Sequence, residues 1–285
     1  MNNELTRNKI PELTLLFWVM KICATTLGET AGDLLSMTLD VGYAISSLLL
    51  ISIFFITLSG QLKVKRYIPF LYWSVIVSTS TAGTTMSDFM DRTLELGYAA
   101  GSAILVSILF VILALWYLSE KSLSVTNISS FKGELFYWIA ILFSNTLGTA
   151  LGDFLADNSG LGFAGSAILI SSVLVLVILA HYYSKISTVF LFWVAFILTR
   201  PFGATFGDLL TKLPENGGLG FGTKGSSLVF VTMLIILIVY DILKKNRKFL
   251  DVVAKALLEK ETIEGEDFEK MYQEYAGNGK KKKTV

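Results

Sequence analysis

The sequence predicts an all-α polytopic membrane protein with eight transmembrane helices, arranged as four parallel two-helix repeats. Composition is the first reason: the 285 residues are 53% hydrophobic and only 16% charged, whereas soluble domains carry roughly 25% charged residues. The second reason is a set of apolar segments of about 20 residues, the length that spans a bilayer. The third is a stretch that recurs four times, which predicts four copies of one structural unit.

The recurring stretch carries a tryptophan, a glycine ten residues later and an aspartate five residues after that. Its first copy is Leu16–Leu35, LFWVMKICATTLGETAGDLL, and the other copies begin at Leu71, Phe136 and Leu191. The tryptophans are Trp18, Trp73, Trp138 and Trp193, and the aspartates are Asp33, Asp88, Asp153 and Asp208.

Apolar length predicts the individual elements. The expected spans lie near residues 12–35, 40–60, 67–90, 96–118, 134–156, 161–184, 187–211 and 220–243. Residues 12–243 thus form the membrane domain, with repeats at about 12–60, 67–118, 134–184 and 187–243. Residues 1–11 are a polar N-terminal segment, and residues 244–285 are a charged tail in which apolar periodicity predicts two short helices.

Basic residues predict the orientation. They concentrate in the N-terminus, in the connections between repeats and after the last span, so positive-inside logic places both termini in the cytoplasm. Since each repeat has an even number of spans, the four repeats run in the same direction and are related by an axis along the membrane normal.

Several function classes are unlikely on composition. A net charge of +1 gives no reason to expect a nucleic-acid partner. One cysteine, Cys23, and one histidine, His181, leave no thiolate metal site and no histidine-based catalytic set. We therefore expect neither an enzyme nor a bound cofactor.

The four repeated aspartates are predicted at the outer ends of the first helices of the repeats. From Glu12 to Asp33 a helix rising ~1.5 Å per residue covers about 30 Å, which is the thickness of the hydrocarbon core. An acidic ring at that level would attract cations. The alternative is that each aspartate holds its connecting turn through backbone N–H groups.

The first helix carries a polar stripe through the membrane. Lys21, Thr25, Glu29 and Asp33 follow one another at a spacing of four residues, which places them on one helix face. Charged groups at this depth are rare unless they are paired or functional.

One level of the bundle differs between repeats. Counted from the tryptophan, Thr25 corresponds to Ser80, Asn145 and Arg200. We expect Glu29, Thr25 and Asn145 to bind a cation, and Lys21 and Arg200 to gate or couple by competing for Glu29. A Glu29–Arg200 or Lys21–Glu29 ion pair that holds the bundle together is the alternative.

The repeated glycines and tryptophans are expected to have structural roles, in helix packing and in membrane anchoring respectively. Small residues four apart let helices approach closely, and this pattern covers Gly28, Gly32, Gly83, Gly148, Gly152, Gly203 and Gly207. Trp18, Trp73, Trp138 and Trp193 are expected to anchor the helices at the membrane interface.

Two stretches resemble known proteins. The four repeats, and most of all KICATTLGETAGD (Lys21–Asp33) and ILTRPFGATFGD (Ile197–Asp208), resemble the DUF347 repeat family of bacterial membrane-anchored proteins. That resemblance covers about residues 8–245 and implies a multi-pass protein of the bacterial cytoplasmic (inner) membrane. Separately, Ala256–Tyr272 is similar to the closing segment of the membrane-bound metalloprotease FtsH, without its Walker or zinc motifs.

Together these features predict a transporter or exporter of a small cation, such as a divalent metal, with proton coupling as one option. The partners expected are the lipid bilayer, the cation and a protein bound by the tail 244–285. The alternative function is a scaffold or sensor that transports nothing and recruits a partner through that tail.

Overall fold

The computed structural model describes residues 9–125, 128 and 130–281, and this part of the chain is helical without strands. Most of the predicted N-terminal segment and the last four residues of the tail lie outside the described residues. The helices are α1 (Leu15–Asp33), α2 (Tyr43–Lys63), α3 (Pro69–Asp88), α4 (Tyr98–Glu120), α5 (Phe131–Asp153), α6 (Gly162–Tyr183), α7 (Thr188–Thr211), α8 (Thr223–Lys245), α9 (Arg247–Lys260) and α10 (Gly265–Lys281).

Four helices, one from each repeat, form a closed inner ring. Helix α1 packs against α3, α3 against α5, α5 against α7, and α7 returns to α1. These are the helices that carry the repeated Trp, Gly and Asp residues, so the repeated sequence builds the centre of the bundle.

Close contact within the ring depends on the repeated glycines. A Cβ atom on Gly83 would lie 2.9 Å from the backbone of Asn145, and one on Gly203 would lie 2.6 Å from Thr25 Oγ1. Gly28 and Gly148 meet Ser80 and Arg200 in the same way, so each glycine faces the next helix of the ring. The expected packing role of these glycines fits this geometry.

The remaining membrane-length helices surround the ring. Helix α2 packs on α3, α4 on α5 and α6 on α7. The first half of α8 contacts α1, since Ser227 donates to Thr30 Oγ1 at 3.0 Å and the Cys23 thiol donates to Phe230 O at 3.3 Å. Each outer helix therefore packs on the inner helix of the following repeat, which interlocks the repeats.

Six described helices are long and apolar enough to cross a membrane: α2, α4, α5, α6, α7 and α8. The sequence predicts eight, and α1 and α3 fall short of that hydropathy. Lys21 and Glu29 lower the hydropathy of α1, and a run of serines and threonines lowers that of α3. Both helices are largely buried in the ring, where polar residues contact protein.

Three of the four inner helices change from α-helical to π-helical geometry directly after the repeated aspartate. A five-residue π-helical turn follows directly after Asp33, Asp88 and Asp153. The fourth repeat differs, because α7 continues to Thr211 and a 3₁₀ turn, Pro214–Asn216, lies in the longer connection. The outer helix of this repeat, α8, begins at Thr223, directly after Gly222 with its φ of 72°. Helices α2 and α4 begin instead at the aromatic residue of a Gly-Tyr pair, and the corresponding Gly220-Phe221 pair lies before α8.

The chain divides into two compact units, the first extending to Ile235 and the second beginning at Ile236. In the second unit, α9 and α10 occupy the part of the tail where apolar periodicity predicts two short helices. The Phe249 ring packs against Phe268, Tyr272 and Tyr275, with centroids 5.3–5.5 Å apart.

Candidate cation site

Arg200 is the centre of the inner ring and is fully buried. Its Nη1 lies 3.0 Å from Glu29 Oε2 and donates to Thr25 O at 3.4 Å. Its Nη2 donates to the hydroxyls of Thr84 at 2.5 Å and Thr149 at 2.7 Å. The guanidinium thus touches α1, α3 and α5, and Arg200 lies beside Thr25 and Glu29, two residues of the polar stripe.

Glu29 is the acceptor for this group of donors. The hydroxyls of Thr84 and Thr149 lie 3.2 and 3.4 Å from the same Oε2 atom that faces Arg200. Only 3% of Glu29 is exposed. A buried carboxylate requires such partners, because an unpaired charge in a low-dielectric interior is strongly disfavoured.

Lys21 lies apart from Glu29 and contacts other groups. Its Nζ donates to Asn145 Oδ1 at a long 3.5 Å and sits 4.1 Å from the centre of the Phe196 ring. Asn145 in turn donates to Thr79 Oγ1 at 3.0 Å. Of the two ion pairs considered for Glu29, the described contacts therefore contain the one with Arg200.

Thr25 reaches this site with its backbone. Its hydroxyl donates to carbonyl oxygens of Lys21, Ile22 and Thr199, while its own carbonyl accepts from Arg200. We therefore place Thr25 among the residues that position the ion pair, and its hydroxyl as a cation ligand stays a prediction.

The four repeated aspartates lie at one end of the ring, where the inner helices end, and are each 3% exposed. Two basic residues pair them. Lys212 Nζ lies 2.7 Å from Asp33 Oδ2 and 3.1 Å from Asp208 Oδ1. Arg92 lies 2.9 Å from Asp88 and 3.2 Å from Asp153. Each cation follows the aspartate of its own repeat by four residues and reaches the aspartate of the next repeat.

Both cations lie beyond the ends of their helices and keep their charge in this setting. Burial opposes protonation of Lys212, but Asp208 and Asp33 outweigh it and raise the pKa of Lys212 above its ordinary value. Burial likewise opposes the charge of Arg92, and Asp88 and Asp153 raise the pKa of its guanidinium.

Three carboxylates converge where the polar stripe reaches the end of the ring that carries the repeated aspartates. One oxygen each from Glu29, Asp33 and Asp208 lies within 4.8 Å of the others, and all three residues are buried. Oxygen ligands of this kind suit hard cations such as Mg²⁺, Ca²⁺ and Mn²⁺.

The charges of the ring do not balance. Glu29 and the four aspartates exceed by one the basic residues Lys21, Arg92, Arg200 and Lys212, even when Lys21 is counted as charged. The ring therefore has a deficit of positive charge that a proton or a metal ion would relieve.

A cavity of about 280 Å³ opens beside this carboxylate group. Asp33, Lys212, Asn216, Thr38 and Thr223 line part of it, and the hydroxyls of Thr38 and Thr223 lie 2.7 Å apart. It forms next to the connection after α7, where the fourth repeat departs from the other three.

The other end of the ring is closed by aromatic side chains. Tyr72 and Tyr137 share a hydrogen bond of 2.7 Å between their hydroxyls, and Trp73 and Trp138 each pack against Tyr72. Trp73 and Trp138 are 1% exposed and Trp193 is 5% exposed.

Burial corrects the anchoring role expected for three of the tryptophans. An interfacial anchor must reach the lipid headgroups, but Trp73, Trp138 and Trp193 are enclosed by protein. Trp193 instead donates to Leu123 O at 3.1 Å. Trp18 is half-buried and so retains surface for an anchoring contact.

Arg92 and Lys212 are the residues of this site that the sequence interpretation missed. The signal for them was present, since a basic residue stands four positions after the aspartate in the second and fourth repeats, where Met37 and Asp157 stand in the first and third.

Comparison with known proteins gives one match. A family model described as Repeat of Unknown Function (DUF347) matches residues 16–67, 71–122, 136–187 and 191–246, which together make up most of the chain. Neither a curated protein nor a solved structure matches. The similarity of Ala256–Tyr272 to the end of FtsH therefore stays a prediction.

Proposed function

The chain belongs to the DUF347 repeat family, and from that premise and the buried charges of the ring we propose that it is an integral membrane transporter of a small cation. The cation crosses through the polar stripe between the repeats. A divalent metal is the proposed substrate, and protons are the proposed coupling ion.

The observation that carries this proposal is the buried, unbalanced group of charges in a chain with six membrane-length apolar helices. Ionisable residues at membrane depth are costly and typically mark ion pathways. A purely structural network would be expected to balance its charges, because each uncompensated buried charge destabilises the fold. The excess carboxylate supports a site that takes up cations.

The proposed topology has eight spans, with both termini in the cytoplasm of a bacterial cell. In this topology α1 and α3 cross the membrane despite their polar residues, because neighbouring helices shield them from lipid. The outer helices support this arrangement, since they expose large apolar residues such as Leu48, Phe110 and Leu228.

Transport in this proposal requires two closures to open in turn. The aromatic side chains around Tyr72 and Tyr137 close the cytoplasmic end, and the pairs made by Arg92 and Lys212 close the outer end. Arg200 holds Glu29 when no cation is bound and releases it when the cation arrives. Lys21, near Asn145, is the proposed coupling residue.

Ion flux in proteoliposomes tests the proposal. The purified protein is compared with Glu29→Gln across Mg²⁺, Ca²⁺, Mn²⁺, Co²⁺ and Zn²⁺, with a pH-sensitive dye inside the vesicles. Glu134→Gln is the matched control, since Glu134 is also buried and ion-paired, 2.6 Å from Lys9, but lies in the first turn of α5, at the opposite end of that helix from Asp153.

We expect flux with the native protein and with Glu134→Gln, and its loss with Glu29→Gln at a temperature at which circular dichroism shows that this destabilised variant is still folded. Absence of flux for every cation from folded native protein would refute transport. Equal flux from Glu29→Gln would refute the assignment of the pathway.

A membrane scaffold or sensor is the second candidate. The observation that favours it is the second compact unit, in which Phe249, Phe268, Tyr272 and Tyr275 form a small aromatic cluster of its own. Deleting residues 244–285 separates the two functions. A transporter with an accessory tail retains flux, whereas a scaffold loses its cellular role.

A further inference from the structure

Lys212 occupies a position among carboxylates that resembles that of a bound cation. Its ammonium lies 2.7 Å from Asp33 Oδ2 and 3.1 Å from Asp208 Oδ1. Both carboxylates belong to the group of three that Glu29 completes. An ammonium is a compact charge on a flexible stem, so it can leave such a group without rearranging the helices.

We propose that Lys212 is a tethered competitor of the transported cation, and that a divalent ion entering between Glu29, Asp33 and Asp208 displaces its ammonium. The ammonium returns when the ion leaves. This inference rests on the proposed function, because it assigns the substrate class and the regulation of the same site.

Asp208 gives a second reason to place a ligand here. Its Oδ1 is buried, and its described partner is the Lys212 ammonium, 3.1 Å away in an ion pair without good hydrogen-bond geometry. A buried carboxylate oxygen usually accepts hydrogen bonds. A metal ion at this position would coordinate an oxygen that is otherwise poorly satisfied.

The adjacent cavity can accommodate the Lys212 side chain after its ammonium is displaced from the carboxylates. It has a volume of about 280 Å³ and borders Lys212, Asn216, Thr38 and Thr223. The side chain of Lys212 is already 22% exposed. Thr38, Thr223 and Asn216 border this cavity and carry side-chain oxygens that can accept hydrogen bonds from the ammonium.

Charge favours a divalent ion over a monovalent one. Three carboxylates with Arg200 and Lys212 carry a net charge of −1. Replacing the ammonium by a divalent ion makes the group neutral, whereas a monovalent ion leaves the charge unchanged. In a buried site, removing the residual charge is worth substantially more than it would be in water.

Arg92 provides the contrast within the same chain. It pairs Asp88 with Asp153 as Lys212 pairs Asp33 with Asp208, but its guanidinium also lies 5.7 Å from the centre of the Tyr98 ring. Neither of its two aspartates belongs to the three-carboxylate group found among the described residues. A planar guanidinium held by two carboxylates and a ring is a fixed pairing.

The test is equilibrium binding of Mn²⁺ to the purified full-length protein, followed by electron paramagnetic resonance and by calorimetry. If Lys212 occupies the site 90–99% of the time, removing its charge with Lys212→Met tightens Mn²⁺ binding about 10- to 100-fold. Arg92→Met is the matched control and leaves the affinity unchanged or weaker. Lys212→Met combined with Asp208→Asn loses the gain.

Unchanged or weaker Mn²⁺ binding by folded Lys212→Met overturns the proposal, as does equal tightening by Arg92→Met. Lys212→Arg covers the case in which the methionine variant does not fold, because a guanidinium that stays in place must weaken Mn²⁺ binding. The binding assay needs no ion gradient, so it is independent of the flux assay. If Lys212→Met binds Mn²⁺ more tightly but the native protein shows no flux, transport is refuted and the role of Lys212 as a competitor for the site is retained.

Discussion

The buried pair between Arg200 and Glu29 makes a quantitative prediction about stability. Replacing Arg200 by Met keeps an apolar stem but removes five donor contacts and leaves the Glu29 carboxylate at 3% exposure without its partner. Breaking a buried pair by removing one partner costs about 3–5 kcal/mol.

The local geometry places Arg200→Met at the lower end of that range. The hydroxyls of Thr84 and Thr149 lie 3.2 and 3.4 Å from Glu29 Oε2 and can turn toward it once the guanidinium is gone. We therefore expect a loss of about 3 kcal/mol in the free energy of unfolding. Adding Glu29→Gln to Arg200→Met removes the stranded charge, so the double variant should recover about 1–3 kcal/mol.

The assay is a double-mutant cycle on detergent-solubilised protein. Unfolding by sodium dodecyl sulfate in mixed micelles is followed by circular dichroism for the native protein, the two single variants and the double variant. A double variant whose loss equals the sum of the single losses would refute the reasoning, because it would mean that the two side chains contribute independently.

Two further predictions concern the ring. Gly83→Ala should cost about 1–3 kcal/mol of unfolding free energy, because its Cβ would lie 2.9 Å from the backbone of Asn145. Gly60→Ala is the control, since the nearest neighbour of its Cβ would be 3.5 Å away. An equal loss from both variants in the same unfolding assay would contradict the packing argument. Burial raises the pKa of Asp91 to about 6, against the opposing effects of Ser87 and Arg92. Folding therefore favours the protonated carboxyl, and the stability of the native protein falls as pH rises from about 4 through 6. Asp91→Asn should therefore gain stability relative to the native protein across that window, measured as thermal unfolding midpoints at pH 4.5 and 7.5; a constant difference would contradict it.

Part of the site could be predicted from the sequence. Aligning the copies places Arg200 at the level of Thr25 and Ser80, and helical periodicity places Glu29 one turn from Thr25. In the structure Arg200 contacts all three residues. The repetition itself indicates four equivalent inner helices, which the ring confirms.

The rest depends on tertiary packing that a linear pattern does not contain. Nothing in the repeat indicates that an outer helix packs on the following repeat, because apolar residues on α2 would suit either neighbour. Tryptophans near a predicted interface have the composition of lipid anchors, and only the closed ring shows that Trp73 and Trp138 face inward. The pairing of Arg92 and Lys212 with aspartates of two repeats depends on which aspartates are adjacent in the ring.

The glycine contacts have a consequence for how the chain can change. Because Gly203 of the last repeat meets Thr25 of the first in the way that Gly83 meets Asn145, the contact between the ends of the repeat array is chemically equivalent to its internal contacts. Each inner helix therefore contacts the next one around the ring through the same kind of glycine contact, including α7 with α1. A side chain at Gly28, Gly83 or Gly203 would meet the backbone of the next helix around the circle and so push two neighbouring repeats apart. The first and last repeats are neighbours in this sense, although they lie at opposite ends of the chain.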